Sequence, residues 1–238
     1  MKAILLAAGN GTRLRPLTDT LPKCLLPIGG VPLLQIWLDN CEAAGITQVL
    51  INSHSHREEL ANFVSKQRRS FQIRIAQEPE LLGSAGTLTQ NRDFVSQESA
   101  FFVLYADVLT NVNLRFLLAS HLTSRMPATL GVYEVDNPSE CGVVTIDDDG
   151  VIQRFTEKPR SPESRMAFAG LMVCGQEIFS FIPENRPADI GFHVLPRMTG
   201  RMKAVKISDY LIDVGTRASY ERAQISWPGL TRTASSKD

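Results

Sequence analysis

The chain carries no surplus of either charge: Lys and Arg total 25, Asp and Glu total 25, over 238 residues. Such a balance creates no global field to draw in nucleic acid or an anionic membrane, so any site for a polyanion has to be local. Cysteine is scarce and scattered. Cys24, Cys41, Cys141 and Cys174 form no CxxC pair, which argues against structural zinc and a disulfide framework and for reduced thiols. No apolar run approaches the roughly 20 residues of a membrane span. No charged-then-apolar signal region stands before the first strand. These absences lead us to expect a cytoplasmic protein without membrane or nucleic-acid partners. Sequence repeats are missing too, including the hexapeptide repeats of a β-helix. His54, His56, His121 and His193 show no ligand or dyad spacing and are expected on surfaces or helices. What is present, 43% hydrophobic and 21% charged residues, suits one α/β domain with a sizeable core.

The most informative segment is AILLAAGNGTRLRPLTDTLPK, residues 3 to 23. An apolar strand, Ile4 to Ala8, breaks into Gly9-Asn10-Gly11-Thr12-Arg13, and Pro22-Lys23 follows. A buried strand ending in a glycine loop lets backbone N–H groups approach a phosphate, because no Cβ intervenes. Arg13, Arg15 and Lys23 can add side-chain donors to the same anion. Two familiar loops are excluded by spacing. Leu14 stands where a dinucleotide fingerprint needs its third glycine, and no Gly-Lys-Ser/Thr occurs nearby for a Walker-type loop.

Further along, Pro32 to Ala44 reads as a helix stopped by Gly45. Thr47 to Asn52 reads as a strand, Arg57 to Arg69 as a helix and Phe71 to Ala76 as a strand. Ser84 to Val95 then reads as a helix, and Ala100 to Tyr105 as a strand. This alternation predicts a doubly wound, mostly parallel α/β sheet. From about residue 127 short strands prevail: 129–135, 142–146, 151–155, 169–174, 203–206 and 210–213. A turn at Asp147 to Gly150, a helix begun by Asp189 and a closing helix over 216–224 join them. We expect a single domain over 1–226. Its first half reaches about residue 110, an inserted small β region spans about 111–226 in the same sheet, and a disordered tail covers 227–238.

Ligands of open parallel sheets lie beyond the carboxyl ends of the strands, where four more unusual segments fall. Gln77-Glu78-Pro79-Glu80-Leu81-Leu82-Gly83-Ser84-Ala85-Gly86 opens a helix. Its glycines could admit a flat base against the backbone, or merely serve a cap at Ser84. Tyr105-Ala106-Asp107 and Leu211-Ile212-Asp213-Val214-Gly215-Thr216 each put an aspartate at a strand end. Magnesium is usually held by one or two such carboxylates plus phosphate oxygens and water. Phe155-Thr156-Glu157-Lys158-Pro159 offers a carboxylate beside a cation, with Gly142-Val143-Val144 upstream.

In order and spacing these five motifs resemble the sugar nucleotidyltransferases, over roughly residues 1 to 224. LGSAG is similar to the LGTAG stretch of mannose-1-phosphate guanylyltransferases. The resemblance implies a Rossmann-like nucleotidyltransferase fold and a nucleotide site at Ala8, Gly9, Gly11, Thr12, Gln77, Gly83 and Gly86. It implies catalytic Arg13, Lys23 and Lys158, and a magnesium ion on Asp107 and Asp213. A sugar-phosphate site would form at Gly142, Glu157, Lys158 and Gly170. Two departures stand out: Tyr105-Ala106 where the family usually shows Asn-Gly, and Phe168 where many relatives carry Asn before Ala-Gly. The implied reaction joins a nucleoside triphosphate, GTP favoured, to a sugar 1-phosphate, mannose or a heptose favoured. A uridylyltransferase acting on a hexose or amino-sugar phosphate is the alternative. From another class, the rival is a non-catalytic nucleotide- or sugar-phosphate-sensing subunit.

Overall fold

The computed structural model describes residues 1–230. In chain order its elements are β1 (Lys2–Leu6), β2 (Pro27–Ile28), β3 (Val31–Pro32), α1 (Leu33–Ala43), β4 (Gln48–Ser53), α2 (Arg57–Ser65), β5 (Gln72–Gln77), α3 (Ser84–Gln90), α4 (Arg92–Val95) and β6 (Phe101–Tyr105). The second half continues with β7 (Val108–Thr110), α5 (Leu114–Ser124), β8 (Ala128–Glu134), β9 (Gly142–Ile146), β10 (Ile152–Glu157), β11 (Met166–Cys174), β12 (Met202–Lys206), β13 (Leu211–Asp213) and α6 (Arg217–Ser226).

Nine strands form one sheet in the order β10-β9-β11-β6-β1-β4-β5, with β8 pairing both β11 and β12. β1 is parallel to β4 and β6, and β4 is parallel to β5. Antiparallel pairing enters with β11, which lies against β6, β8 and β9. The strands alternate between two cores, as a sheet covered on both faces requires. Ala3, Leu5, Phe102 and Leu104 join α1, α2, α5 and α6 on one side. Ile4, Phe101 and Val103 join α3, α4 and the 190–198 segment on the other. The doubly wound α/β expectation holds, as a mixed sheet.

Local differences have physical causes. The expected 84–95 helix breaks at Asn91, whose side chain donates to the Thr87 carbonyl at 2.9 Å. The helix expected from Asp189 is a π-helical turn, Ile190–Val194, followed by a 3-10 turn, Leu195–Met198. Helix α5 had no clear sequence signature because its apolar residues do not share one side: Leu114 and Leu117 are buried while Phe116 and Leu122 are exposed. His121, expected on a surface or a helix, is on α5 but buried, with Nδ1 3.1 Å from Thr129 Oγ1; burial holds its pKa below the ordinary value.

The expected tail is corrected at its start. Trp227 packs on Tyr210 with ring centroids 5.3 Å apart, and Leu230 rests on the core. Residues 231–238 lie outside the described residues. Among those described, no helix is long and apolar enough to cross a membrane, and all four cysteines are free. Burial pushes the Cys24 and Cys41 thiols up to about 12, so both stay protonated.

Candidate active site

At the end of β1 the chain turns through the glycine loop. Gly11 has φ +62, and a Cβ there would meet Thr18 Cγ2 at 2.9 Å, so this position is both conformationally and sterically reserved for glycine. Thr18 Oγ1 donates to the Gly11 carbonyl at 2.8 Å and closes the loop. Gly9 differs. It is exposed, and nothing stands within 4 Å of where its Cβ would be. That is open backbone which a ligand can approach.

The loop is held from below by residues that the sequence reading did not single out. The Ala7 and Ala8 N–H groups both donate to Asn52 Oδ1, at 2.6 and 3.2 Å. Asn52 Nδ2 donates to Glu78 Oε1 at 2.9 Å and to Thr87 Oγ1 at 3.0 Å, and Thr87 Oγ1 donates to Glu78 Oε1 at 2.5 Å. Asn52, Glu78 and Thr87 are all buried, so every partner matters: an unpaired polar group here would carry its full desolvation cost. One network thus fixes the ends of β1, β4 and β5 and the first turn of α3. The available signal was an asparagine ending an otherwise apolar strand.

The LGSAG segment is packed against the second half of the chain. Gly83 has φ +75, and a Cβ on it would run into the Ala188 backbone. The Ala85 and Gly86 N–H groups donate to the Ala188 carbonyl at 2.9 and 3.1 Å. Ser84 Oγ donates to Asp189 Oδ2 at 2.8 Å and accepts from the Ile190 N–H at 2.7 Å. Gly83 and Gly86 therefore serve a close chain crossing, and the α3 amides at 85 and 86 are already satisfied. Gln77 is exposed at the end of β5.

The two aspartates meet through β7 and β13, which pair Val108 with Asp213, while the Val214 N–H donates to the Asp107 carbonyl at 2.9 Å. Helix α1 steadies this hairpin-like pair, its buried Trp37 donating from Nε1 to the Val108 carbonyl at 2.8 Å. Lys23, nearly buried, lies 2.8 Å from Asp107 Oδ2. The Arg13 guanidinium stands over Gly215, where a Cβ would come within 3.2 Å of it and 2.5 Å of Asp213 Oδ1. The protein around the Asp213 carboxyl, then the facing Asp107, push its pKa up, while Lys23 and Arg13 pull it back.

Between the halves lies a cleft of about 750 Å³. Arg13, Asp107 and Asp213 line one end, and Gly142, Glu157, Lys158, Phe168 and Gly170 the other. Lys23 and the nucleotide-side positions Ala8, Gly9, Gly11, Thr12, Gln77, Gly83 and Gly86 are not part of its lining. The Glu157 carboxylate fits between Gly142 and Gly191, since a Cβ on either would collide with Oε2. Burial and the nearby Asp189 raise its pKa, and Lys158 lowers it. Lys158 takes φ +48 directly after β10 and places Nζ 5.9 Å from the Phe192 ring centroid. Gly170, φ +71, sits in a bulge of β11 where Val108 and Tyr105 occupy the space a side chain would need.

The arrangement sets two carboxylates against two cations at the carboxyl edge of the parallel strands. Among the described residues no three His, Cys, Asp or Glu side chains form a cage for a metal. Two facing carboxylates beside an open cleft fit a divalent ion that takes its remaining ligands from phosphate and water.

The chain belongs to the nucleotidyl transferase family, whose model matches residues 2–227. It is 33% identical over 227 residues to a mannose-1-phosphate guanyltransferase of Schizosaccharomyces pombe, covering 92% of this chain and 62% of that protein. A mannose-1-phosphate guanyltransferase beta-A of Xenopus laevis is 33% identical over 221 residues, covering 90% of this chain and 61% of its own. The chain thus spans about six-tenths of the length of these curated relatives. Among solved structures, a Bacillus anthracis protein assigned as a glucose-1-phosphate thymidylyltransferase, in complex with sucrose, superposes with a TM-score of 0.84 at 26% identity. That superposition covers 94% of each chain. HddC from Yersinia pseudotuberculosis complexed with GMP-PN shares the fold, with a TM-score of 0.79 at 24% identity, covering 94% of this chain and 98% of that one.

Proposed function

We propose that this chain transfers a nucleoside monophosphate from a nucleoside triphosphate, GTP favoured, to a sugar 1-phosphate, mannose- or heptose-1-phosphate favoured, with release of pyrophosphate. The observation that carries the reading is the convergence of Arg13, Lys23, Asp107 and Asp213, from four separate segments, beyond the ends of β1 and β6. The guanylyltransferase relatives support the choice of base and sugar.

A phosphate oxygen of the sugar 1-phosphate attacks the α-phosphorus, and the bond to the pyrophosphate oxygen breaks in line with it. No general base is required, because a phosphate monoester is already ionised near neutral pH. Both reactants are anions, so positioning and charge stabilisation carry the catalysis. The open backbone at Gly9 lets the loop amides reach the triphosphate, with Ala8, Gly11 and Thr12 shaping the turn. Arg13 takes charge on the leaving pyrophosphate, Lys23 faces the phosphorus under attack, and Lys158 holds the incoming sugar phosphate. Asp107 and Asp213 would hold magnesium, which supplies neutralising charge at the α-phosphate. Glu157 accepts sugar hydroxyls between Gly142 and Gly191, with Gly170 allowing the close packing on Tyr105 and Val108 that shapes that side of the cleft. Gln77 faces the base, and Gly83 and Gly86, packed on Ala188, hold in place the start of α3 that borders it. The balanced charge and free thiols support a cytoplasmic setting without membrane or nucleic-acid partners.

The test is pyrophosphate release with each of the five common nucleotides against a panel of sugar 1-phosphates, with and without magnesium. Magnesium-dependent turnover best with GTP and a manno-configured phosphate is the expected result. Turnover best with UTP would move the assignment to a uridylyltransferase. Ligand binding without turnover in any pair would replace an enzyme with a sensing subunit.

A further inference from the structure

The sugar end of the cleft is lined by the charged groups of Glu157, Asp189 and Lys158 and, beside them, by an aromatic wall. In that wall Tyr105 and Phe168 meet edge to face, with centroids 5.8 Å apart and planes at 90°. Phe155 stands behind Phe168 at 6.4 Å. Phe155 is buried, as a core ring should be, but Tyr105 and Phe168 are only half-buried and both line the cleft. Large aromatic rings left partly open inside a concave site mark a contact surface.

These two rings occupy the two positions noted above as departures from asparagine. They lie 63 residues apart in sequence and touch each other across β6 and β11, so the two departures belong to one local change. An asparagine can donate to one hydroxyl and accept from another; a phenylalanine can do neither. Burial, then the Asp189 carboxylate, push the pKa of the Tyr105 phenol up, so it stays protonated. The bulge at Gly170 secures the geometry, because any side chain there would strike Tyr105 Cβ, 3.1 Å from the Cβ position.

We propose that Tyr105 and Phe168 select a deoxy sugar 1-phosphate, whose missing hydroxyl faces this aromatic wall while its remaining hydroxyls meet Glu157 and Asp189. A hydroxyl pressed against the wall would lose water and gain no partner, which disfavours the fully hydroxylated sugar. A carbon without that hydroxyl buries C–H surface on the rings instead. The proposal rests on the nucleotidyltransferase reading and narrows its acceptor.

The test compares kcat/KM for mannose 1-phosphate and its 2-, 4- and 6-deoxy analogues, using the nucleotide turned over fastest. One deoxy analogue should exceed the parent by about tenfold or more, the scale on which pockets discriminate single groups. Tyr105→Asn with Phe168→Asn should shift that ratio towards the parent, while Phe168→Leu, which keeps the wall apolar and preserves packing, should leave the direction unchanged. Saturating the aromatic resonances should transfer markedly less magnetisation to sugar C–H protons in the double variant than in the wild type. Equal or better use of the parent by wild type, unmoved by the asparagine pair, would overturn the aromatic selection and leave the nucleotidyltransferase reading standing. Absence of turnover with every nucleotide and sugar would overturn both.

Discussion

The two halves of the molecule place their functional groups by different means. Up to about residue 110, parallel strands end in turns fastened to each other from beneath, with Asn52, Glu78 and Thr87 holding the glycine loop and α3 in one buried network. Beyond it, antiparallel strands, a bulge and short turns carry side chains inward across a cleft, and Glu157 has room only because residues 142 and 191 are glycine. The first side exposes backbone at Gly9, and the second turns side chains into the cleft. Substitutions should separate the two accordingly.

The largest effect is expected where the halves meet. Lys23→Ala removes the cation paired with Asp107, and by analogy with loss of one oxyanion donor it should cost about 2.7–4 kcal/mol of transition-state stabilisation. Pyrophosphate-release kinetics would measure it, and turnover within a few-fold of wild type would remove Lys23 from the chemistry. Next come the glycines. Gly83→Ala combines a positive φ with a collision against Ala188 and should destabilise the fold by about 3 kcal/mol in denaturant unfolding. Gly9→Ala meets no neighbour, so it should leave stability nearly unchanged while raising the KM for nucleotide. If both behave alike, the distinction between a packing glycine and an approach glycine fails.

Asn52→Leu should cost about 1–3 kcal/mol by leaving the Ala7 and Ala8 amides and Glu78 short of partners. It should also weaken nucleotide binding more than sugar-phosphate binding; equal losses would detach the network from the loop. The smallest effect lies in the second half. Glu157 has a raised pKa when folded, so the native state holds its proton more tightly than the unfolded chain does, and stability falls as pH rises from the unfolded value to the folded one. Glu157→Gln should therefore raise the melting temperature at pH 7–8, with the gain vanishing near pH 4, while turnover drops. Identical melting shifts at both pH values would show that Glu157 is not strained by its burial.

Much of the first half was legible because its signals are local. The strand-to-loop transition at Ala8-Gly9 and the strand-end Asp107 depend on a few adjacent residues, and β1, β4, β5 and β6 agree with the strands read from the pattern to within two positions, while the short β2, β3 and β7 went unread. The role of LGSAG was not legible. Its glycines face Ala188, 105 residues beyond Gly83, and nothing near residue 83 announces that crossing. Helix α5 escaped notice because its apolar residues lie on both its buried and exposed sides.

By itself the sequence determined the α/β class, the glycine loop after β1 and the identity of the charged residues, since each follows from short-range pattern and composition. Tertiary structure alone decided which groups share a site. Asp107 meets Asp213 only through β7–β13 pairing, Lys23 reaches Asp107 across the sheet edge, and Tyr105 meets Phe168 only when β11 lies antiparallel to β6. Such meetings depend on strand order and register, which are set by the summed burial of two cores rather than by any one segment.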